Sequence, residues 1–131
     1  MHRERKVSEE TAEAYLELIA GRCRRIPTAY LTGEREFMSL PFSVSPSVMI
    51  PRPETELMVE EVIRRFGDVS PLKCLDMGTG SGCIPVALAM NLRSDARFTA
   101  VDVSKQALAA AACNVRRYGL ENRSELIESD M

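Results

Sequence analysis

The sequence predicts an α/β fold, a parallel βαβαβ half-sheet preceded by a helix and a β-hairpin connector. Three observations carry that expectation. After Pro71, short apolar strand-like runs alternate with helical ones. A glycine-rich turn, Asp76-Met77-Gly78-Thr79-Gly80-Ser81-Gly82, joins the first such strand to the first such helix, and an acid, Asp102, closes the second strand.

The elements follow in order. Ala12, Tyr15, Leu16, Ile19, Ala20 and Cys23 recur at spacings of three and four, so a helix with one apolar face is expected from about Ser8 to Arg24. Ser8 caps it, with Glu9 and Glu10 in the first turn and Arg22, Arg24 and Arg25 near the end, complementing the helix dipole. Prolines at 27, 41, 46, 51 and 53 then mark a connector, with β-type runs at Glu36 to Leu40 and Phe42 to Val44. Pro53 suits a first helical position, and Leu57, Met58, Val62, Ile63 and Phe66 form a stripe that Gly67 terminates. Beyond Pro71 come strand Leu72 to Asp76, helix Ser81 to Asn91, strand Phe98 to Val103, helix Lys105 to Tyr118 and strand Glu125 to Ser129. Such an order implies right-handed crossovers. Three strands leave an edge and a face uncovered, which suggests a truncated sequence.

The length, 131 residues, allows one compact domain with an appendage. A composition of 45% hydrophobic and 27% charged residues is ordinary for a globular protein. A net charge of -2 gives no reason to expect a nucleic-acid partner. No apolar stretch approaches the roughly 20 residues that span a bilayer, and the charged start offers no signal-peptide core. Cys23, Cys74, Cys83 and Cys113 make no CxxC pair, which fits reduced thiols and a cytoplasmic location. No metal is expected: His2 is the only histidine, and no Cys or His spacing suggests ligands. Cys83, at a helix start, reads as a packing residue rather than a reactive thiol.

The glycine turn is where a buried strand bends into a helix, and glycines let backbone approach a ligand closely. Amides at the helix start, with the Thr79 and Ser81 hydroxyls beside them, suit a carboxylate-bearing ligand such as the methionine end of S-adenosyl-L-methionine. Asp102, twenty residues after Gly82, is placed to accept both hydroxyls of a ribose. The plainer readings are a glycine turn kept for packing and an Asp102 that caps the next helix. A nicotinamide dinucleotide would favour G-x-G-x-x-G. Here the spacing is G-x-G-x-G, with Cys83 where the third glycine would stand, which favours the methyl donor.

Three passages resemble the HemK-type protein-(glutamine-N5) methyltransferases that modify peptide-chain release factors: Arg25-Ile26-Pro27-Thr28-Ala29-Tyr30-Leu31-Thr32-Gly33, Ile50-Pro51-Arg52-Pro53-Glu54-Thr55-Glu56, and the Asp76 to Gly82 turn. The similarity spans about Arg22 to Met131. Many methyltransferases share the glycine turn, whereas Pro-Arg-Pro-Glu-Thr-Glu is far more specific. The resemblance implies a Rossmann-like class I methyltransferase half-sheet. Residues 1–26 would be a helical remnant of an N-terminal domain, 27–53 a hairpin connector and 54–131 the S-adenosyl-L-methionine-binding domain.

By the same resemblance Gly78, Thr79, Gly80, Ser81 and Gly82 would hold the methionine part of the cofactor, Asp102 the ribose, and Asp130 and Met131 the adenine. Arg52, Glu54 and Thr55 would lie at the site mouth. Read without it, Glu54 and Glu56 serve equally as first-turn acids, and Arg52 as a surface ion-pair partner. The implied partner is the glutamine-bearing loop of a release factor. The family's Asn-Pro-Pro-Tyr word, expected after the fourth strand to grip the glutamine amide, does not occur in these residues, so no catalytic residue is assigned here. The alternatives are a non-catalytic nucleoside-binding module and a methyltransferase for ribosomal-protein or nucleic-acid amino groups.

Overall fold

The structure is a computed structural model describing residues 6–93 and 95–130, so His2 and Met131 lie outside the described residues. Helix α1 spans Glu9–Cys23, and the Ser8 hydroxyl oxygen accepts the Thr11 N–H at 3.2 Å, the cap the sequence predicted. Its apolar stripe is nonetheless exposed, Tyr15 and Leu16 by 63% each. Only Gly21 is buried, because the Leu31 side chain fills the space of an added Cβ. Spacing can shape an amphipathic helix, but covering its stripe takes a partner surface.

A short helix the sequence did not announce, α2 (Thr28–Thr32), ends on Gly33 at φ 73°. It leads into the hairpin of β1 (Glu34–Phe37) and β2 (Leu40–Ser43). The expected first strand, Glu36 to Leu40, is corrected here: the turn falls inside it, with Met38 and Ser39 at φ 52° and 59° between the paired Phe37 and Leu40. A Met-Ser pair lacks the Asn-Gly signal such turns usually carry. Tertiary contacts hold it instead. Glu56 accepts the Met38 N–H at 2.7 Å, and Phe37 and Phe42 are buried edge to face, centroids 6.2 Å apart. Each buried phenylalanine contributes roughly 1.5–3 kcal/mol.

Because Phe37 and Leu40 close a two-residue turn, Pro41 and Ser43 occupy positions whose backbone groups point away from β1. Pro41 therefore forfeits no ladder bond. The outward groups are taken from elsewhere: the Tyr118 hydroxyl donates to the Pro41 carbonyl at 2.7 Å, and Asn114 serves both backbone groups of Ser43.

Helix α3 (Pro53–Phe66) begins on its proline as expected and buries Val59. The parallel sheet then follows in the order β3 (Lys73–Met77), β4 (Arg97–Asp102), β5 (Ser124–Glu128). Lys73 pairs with Arg97, and Phe98 with Ser124. The crossovers are α4 (Cys83–Asn91) and α5 (Lys105–Arg117), the latter capped by Ser104. Two right-handed crossovers stepping the same way across a sheet place both helices on one face. The core lies there, built from α4 with Phe98, Val115, Leu120, Val59 and the two hairpin phenylalanines. Arg123 braces its floor, donating to the carbonyls of Ala89, Arg93 and Ala96 at 2.8–3.1 Å while its guanidinium lies 5.8 Å from the Phe98 ring centroid. On the other face Leu75 and Met77 are exposed, 62% and 53%.

Candidate cofactor-binding site

The site forms where β3 and β4 end side by side. The Val101 carbonyl accepts two consecutive amides of the turn, Gly78 at 2.8 Å and Thr79 at 2.9 Å. Asp102 next takes the Gly80 N–H on one carboxylate oxygen and the Ser104 N–H on the other, both at 2.9 Å. The Gly82 N–H returns to the Thr79 carbonyl at 2.9 Å, closing a tight turn around Gly80. Gly78, Gly80 and Gly82 all have positive φ, 75°, 55° and 74°. That is why the chain needs residues without a Cβ there.

The glycines divide their work. A Cβ on Gly78 or Gly80 would meet nothing within 4 Å, so these two face open space. A Cβ on Gly82 would stand 3.2 Å from the Ala111 backbone and 3.1 Å from its side chain. Gly82 thus serves the packing of the turn on α5, the reading the sequence had kept as its plainer alternative.

The expected cradle of amides is narrower than the sequence suggested, since Gly78, Thr79, Gly80 and Gly82 spend their N–H groups inside the protein. Among the described residues no backbone acceptor takes the amides of Ser81, Cys83 or Ile84. They are the orphan donors of a helix start.

Two buried side-chain atoms, Asp76 Oδ2 and Thr79 Oγ1, have no hydrogen-bond partner within 3.5 Å, although the Thr79 hydroxyl lies near enough to the Asp76 carboxylate to favour its charge. Burial raises the Asp76 pKa; Thr79 lowers it in part, and the Asp102 charge adds to the rise. Asp76 was not among the expected site residues. Its signal was an acid inside an otherwise apolar strand. Polar groups left unpaired in a packed interior cost stability, and a ligand is one way to satisfy them. The ensemble offers an acceptor pair for a cation, free amides for a carboxylate and, on Asp102, spare lone pairs for a diol. A zwitterionic amino acid joined to a ribose fits that set of groups.

The remaining expected residues stand apart. Arg52 and Glu54 are exposed at the start of α3, Thr55 is half-buried, and no hydrogen bond among the described residues joins them to the glycine turn. Asp130 is exposed after β5, its carbonyl accepting from the Ser129 hydroxyl at 2.9 Å. Met131 is outside the described residues. Cys83 is buried and its thiol is pushed up to about 11, chiefly by burial, which agrees with a packing role.

Comparison with known proteins bears on the same residues. A family model described as "PrmC N-terminal domain" matches residues 1–33, and one described as "Ribosomal protein L11 methyltransferase (PrmA)" matches 55–131. The release factor glutamine methyltransferase of Nitratidesulfovibrio vulgaris is 41% identical over 127 residues, covering 97% of this chain and 42% of that protein. The Escherichia coli K12 protein of the same name is 39% identical, covering 97% and 45%. The chain belongs to the methyltransferases, matching one methyltransferase family model over more than half its length, and is similar over nearly all of it to release factor glutamine methyltransferases.

The chain spans less than half the length of these curated members. Among solved structures, an S-adenosyl-L-methionine-dependent methyltransferase from Methanococcus maripaludis is 31% identical with a TM-score of 0.50, covering 56% of this chain and 32% of that one. Ribosomal protein L11 methylase from Lactobacillus delbrueckii is 26% identical with a TM-score of 0.52, covering 66% and 42%. The α/β fold with a parallel methyltransferase sheet is therefore established for this family member, as the sequence predicted.

Proposed function

We propose that this chain carries the S-adenosyl-L-methionine site of a methyltransferase that modifies the side-chain amide nitrogen of a glutamine in peptide-chain release factors. The observation that carries the reading is the turn itself: Gly78 and Gly80 face open space, Asp102 clasps the Gly80 amide, and the buried Asp76 Oδ2 and Thr79 Oγ1 have no hydrogen-bond partner within 3.5 Å. The names of the relatives support the substrate.

In this reading Asp102 receives the ribose hydroxyls on the lone pairs that Gly80 and Ser104 leave free. Gly78, Thr79, Gly80, Ser81 and Gly82 enclose the methionine portion, the Ser81, Cys83 and Ile84 amides meet its carboxylate, and Asp76 faces its ammonium. Asp130 and Met131 border the adenine, and Arg52, Glu54 and Thr55 line the mouth. When bound, the cofactor supplies a methyl group activated on a sulfonium. An amide nitrogen is a weak nucleophile, so the work of this chain is alignment, which in well-oriented reactions supplies on the order of 7–11 kcal/mol of the barrier.

The same reading divides the chain at 26/27 and 53/54, into a recognition segment, a hairpin connector and a cofactor domain, and places the protein in the cytoplasm. No helix among the described residues is long and apolar enough to cross a membrane. A second reading, methylation of ribosomal protein, draws on the match over residues 55–131. The match over residues 1–33 and the Pro-Arg-Pro-Glu-Thr-Glu word weigh toward the release factor. The test is to incubate the full chain with S-adenosyl-L-methionine and either purified release factor or ribosomal protein L11, and to locate methyl groups by peptide mass spectrometry. A methylated release-factor glutamine supports the proposal. Methylation confined to L11 overturns it. Because the Asn-Pro-Pro-Tyr word does not occur in these residues, a chain that methylates neither is decided by calorimetry, and failure to bind S-adenosylhomocysteine then overturns the proposal.

A further inference from the structure

Asn114 is fully buried in the last turn of α5, on the helix face that also presents Ala111 to Gly82. Its side-chain amide does two separate things. Toward the hairpin it imitates a neighbouring strand, its Oδ1 accepting the Ser43 N–H at 2.8 Å and its Nδ2 donating to the Ser43 carbonyl at 3.0 Å. Toward the cofactor turn the same Nδ2 donates to the Ser81 carbonyl at 2.8 Å. One side chain thereby joins residues 43 and 81, which belong to different elements. Three of the four hydrogen-bonding capacities of an amide are used, in a place where an unpaired one is costly.

The Ser81 carbonyl belongs to the peptide whose N–H, that of Gly82, closes the turn onto Thr79. Since a peptide is planar, pinning its oxygen toward α5 also fixes where its N–H points. The turn is then held at four places: Val101, Asp102, Ala111 and Asn114. The first three belong to the sheet and helix that any such turn abuts. Asn114 alone also reaches the hairpin.

We propose that Asn114 is a positioning residue for the cofactor turn, and that through it the seating of the hairpin on α5 sets the affinity of the turn for its ligand. The inference rests on the reading of the turn as an S-adenosyl-L-methionine site. It makes the hairpin part of the cofactor machinery although no hydrogen bond among the described residues joins the hairpin directly to the turn.

Two substitutions separate positioning from simple support. Asn114→Asp keeps the size and the acceptor for Ser43 while replacing both donors, leaving the Ser81 carbonyl facing an acceptor. Ser43→Pro removes the donor on the hairpin side and leaves every residue of the turn intact; Pro41, at the equivalent outward position, shows that β2 accommodates proline. The measurement on the full chain is the dissociation constant of S-adenosylhomocysteine by calorimetry on folded protein, with hydrogen exchange of the Gly78 to Gly82 amides alongside. The expected results are about tenfold weaker binding for Asn114→Asp, as for a buried hydrogen bond lost, a smaller loss for Ser43→Pro, and faster exchange in the turn for both. Melting temperatures that fall while affinity and turn exchange match the parent would overturn the inference and leave the cofactor reading intact. A parent protein that binds no S-adenosylhomocysteine would overturn both. If Asn114→Asp does not fold, Ser43→Pro decides alone: parental affinity counts against the proposal.

Discussion

The Gly80 N–H donates to Asp102 Oδ2 at 2.9 Å, so the acid expected to hold a ribose is also a clasp on the glycine turn. Asp102→Ala should therefore cost more than one ligand contact. A loss of about 1–3 kcal/mol in S-adenosylhomocysteine binding is expected from the unmade charge-assisted bonds, with faster exchange of the Gly80 amide. Calorimetry giving equal affinities would remove Asp102 from the site.

Gly80 and Gly82 should fail in different ways when changed to alanine. At Gly82 the new methyl meets the Ala111 backbone at 3.2 Å, so a stability loss of about 1–3 kcal/mol is expected in urea melts. At Gly80 nothing stands within 4 Å, and only the left-handed backbone, costing about 1–2 kcal/mol, resists the change. Cofactor affinity should suffer at Gly80 beyond what stability explains. Similar losses in both assays for both variants would contradict the division of labour.

The raised pKa of Asp76 has a definite sign in stability. The folded protein holds that proton more tightly than the unfolded chain, so the contribution is fully present below the unfolded pKa and is lost as pH rises through the higher folded value. At neutral pH the buried charge is a liability without a ligand. Asp76→Asn should raise the melting temperature of the ligand-free protein at neutral pH, have less effect in acid, and weaken cofactor binding about tenfold. Thermal melts across pH, paired with calorimetry, check all three. A variant that melts lower at neutral pH would show the carboxylate to be satisfied within the fold.

Cysteine chemistry gives an independent check on the packing around the turn. Cys83 is buried with its thiol near 11, whereas Cys23 and Cys113 are exposed. Brief iodoacetamide treatment of the native protein should alkylate Cys23 and Cys113 and spare Cys83, as read by peptide mass spectrometry. Ready labelling of Cys83 in folded protein would show that the start of α4 opens.

Arg123 joins α4 and the loop after it to β5 through three backbone carbonyls. Arg123→Met keeps much of the apolar stem but leaves those carbonyls without their donor. A loss of about 2 kcal/mol in urea unfolding is expected, with cofactor affinity unchanged because the brace lies at the opposite ends of the strands from the glycine turn. Loss of affinity without loss of stability would contradict this role.

The alternation of strand and helix after Pro71, the Ser8 and Ser104 caps, Pro53 at the head of α3 and the glycine turn with its distant acid were all legible in the sequence. Each is written in nearby residues: hydrophobic period, cap chemistry and the need for positive φ act over a few positions. The α2 helix, too short for a period, left no such mark. The Met38-Ser39 turn, lacking its usual residues, is imposed by the burial of Phe37 and Phe42 and by Glu56, contributed by α3.

The site divides along the same line. Local sequence determined that a glycine turn with left-handed backbone exists and which acid follows it. Tertiary structure alone decided that Gly82 packs on Ala111 while Gly78 and Gly80 stay open, that Asp76 Oδ2 and Thr79 Oγ1 are buried without a close partner, and that Asn114, written just after an alanine-rich stretch, links the hairpin to the turn. The reason is reach: periodicity and turn propensity act within a few residues, whereas burial and hydrogen bonding at positions 43, 81 and 114 are settled only when the whole chain has closed on its core.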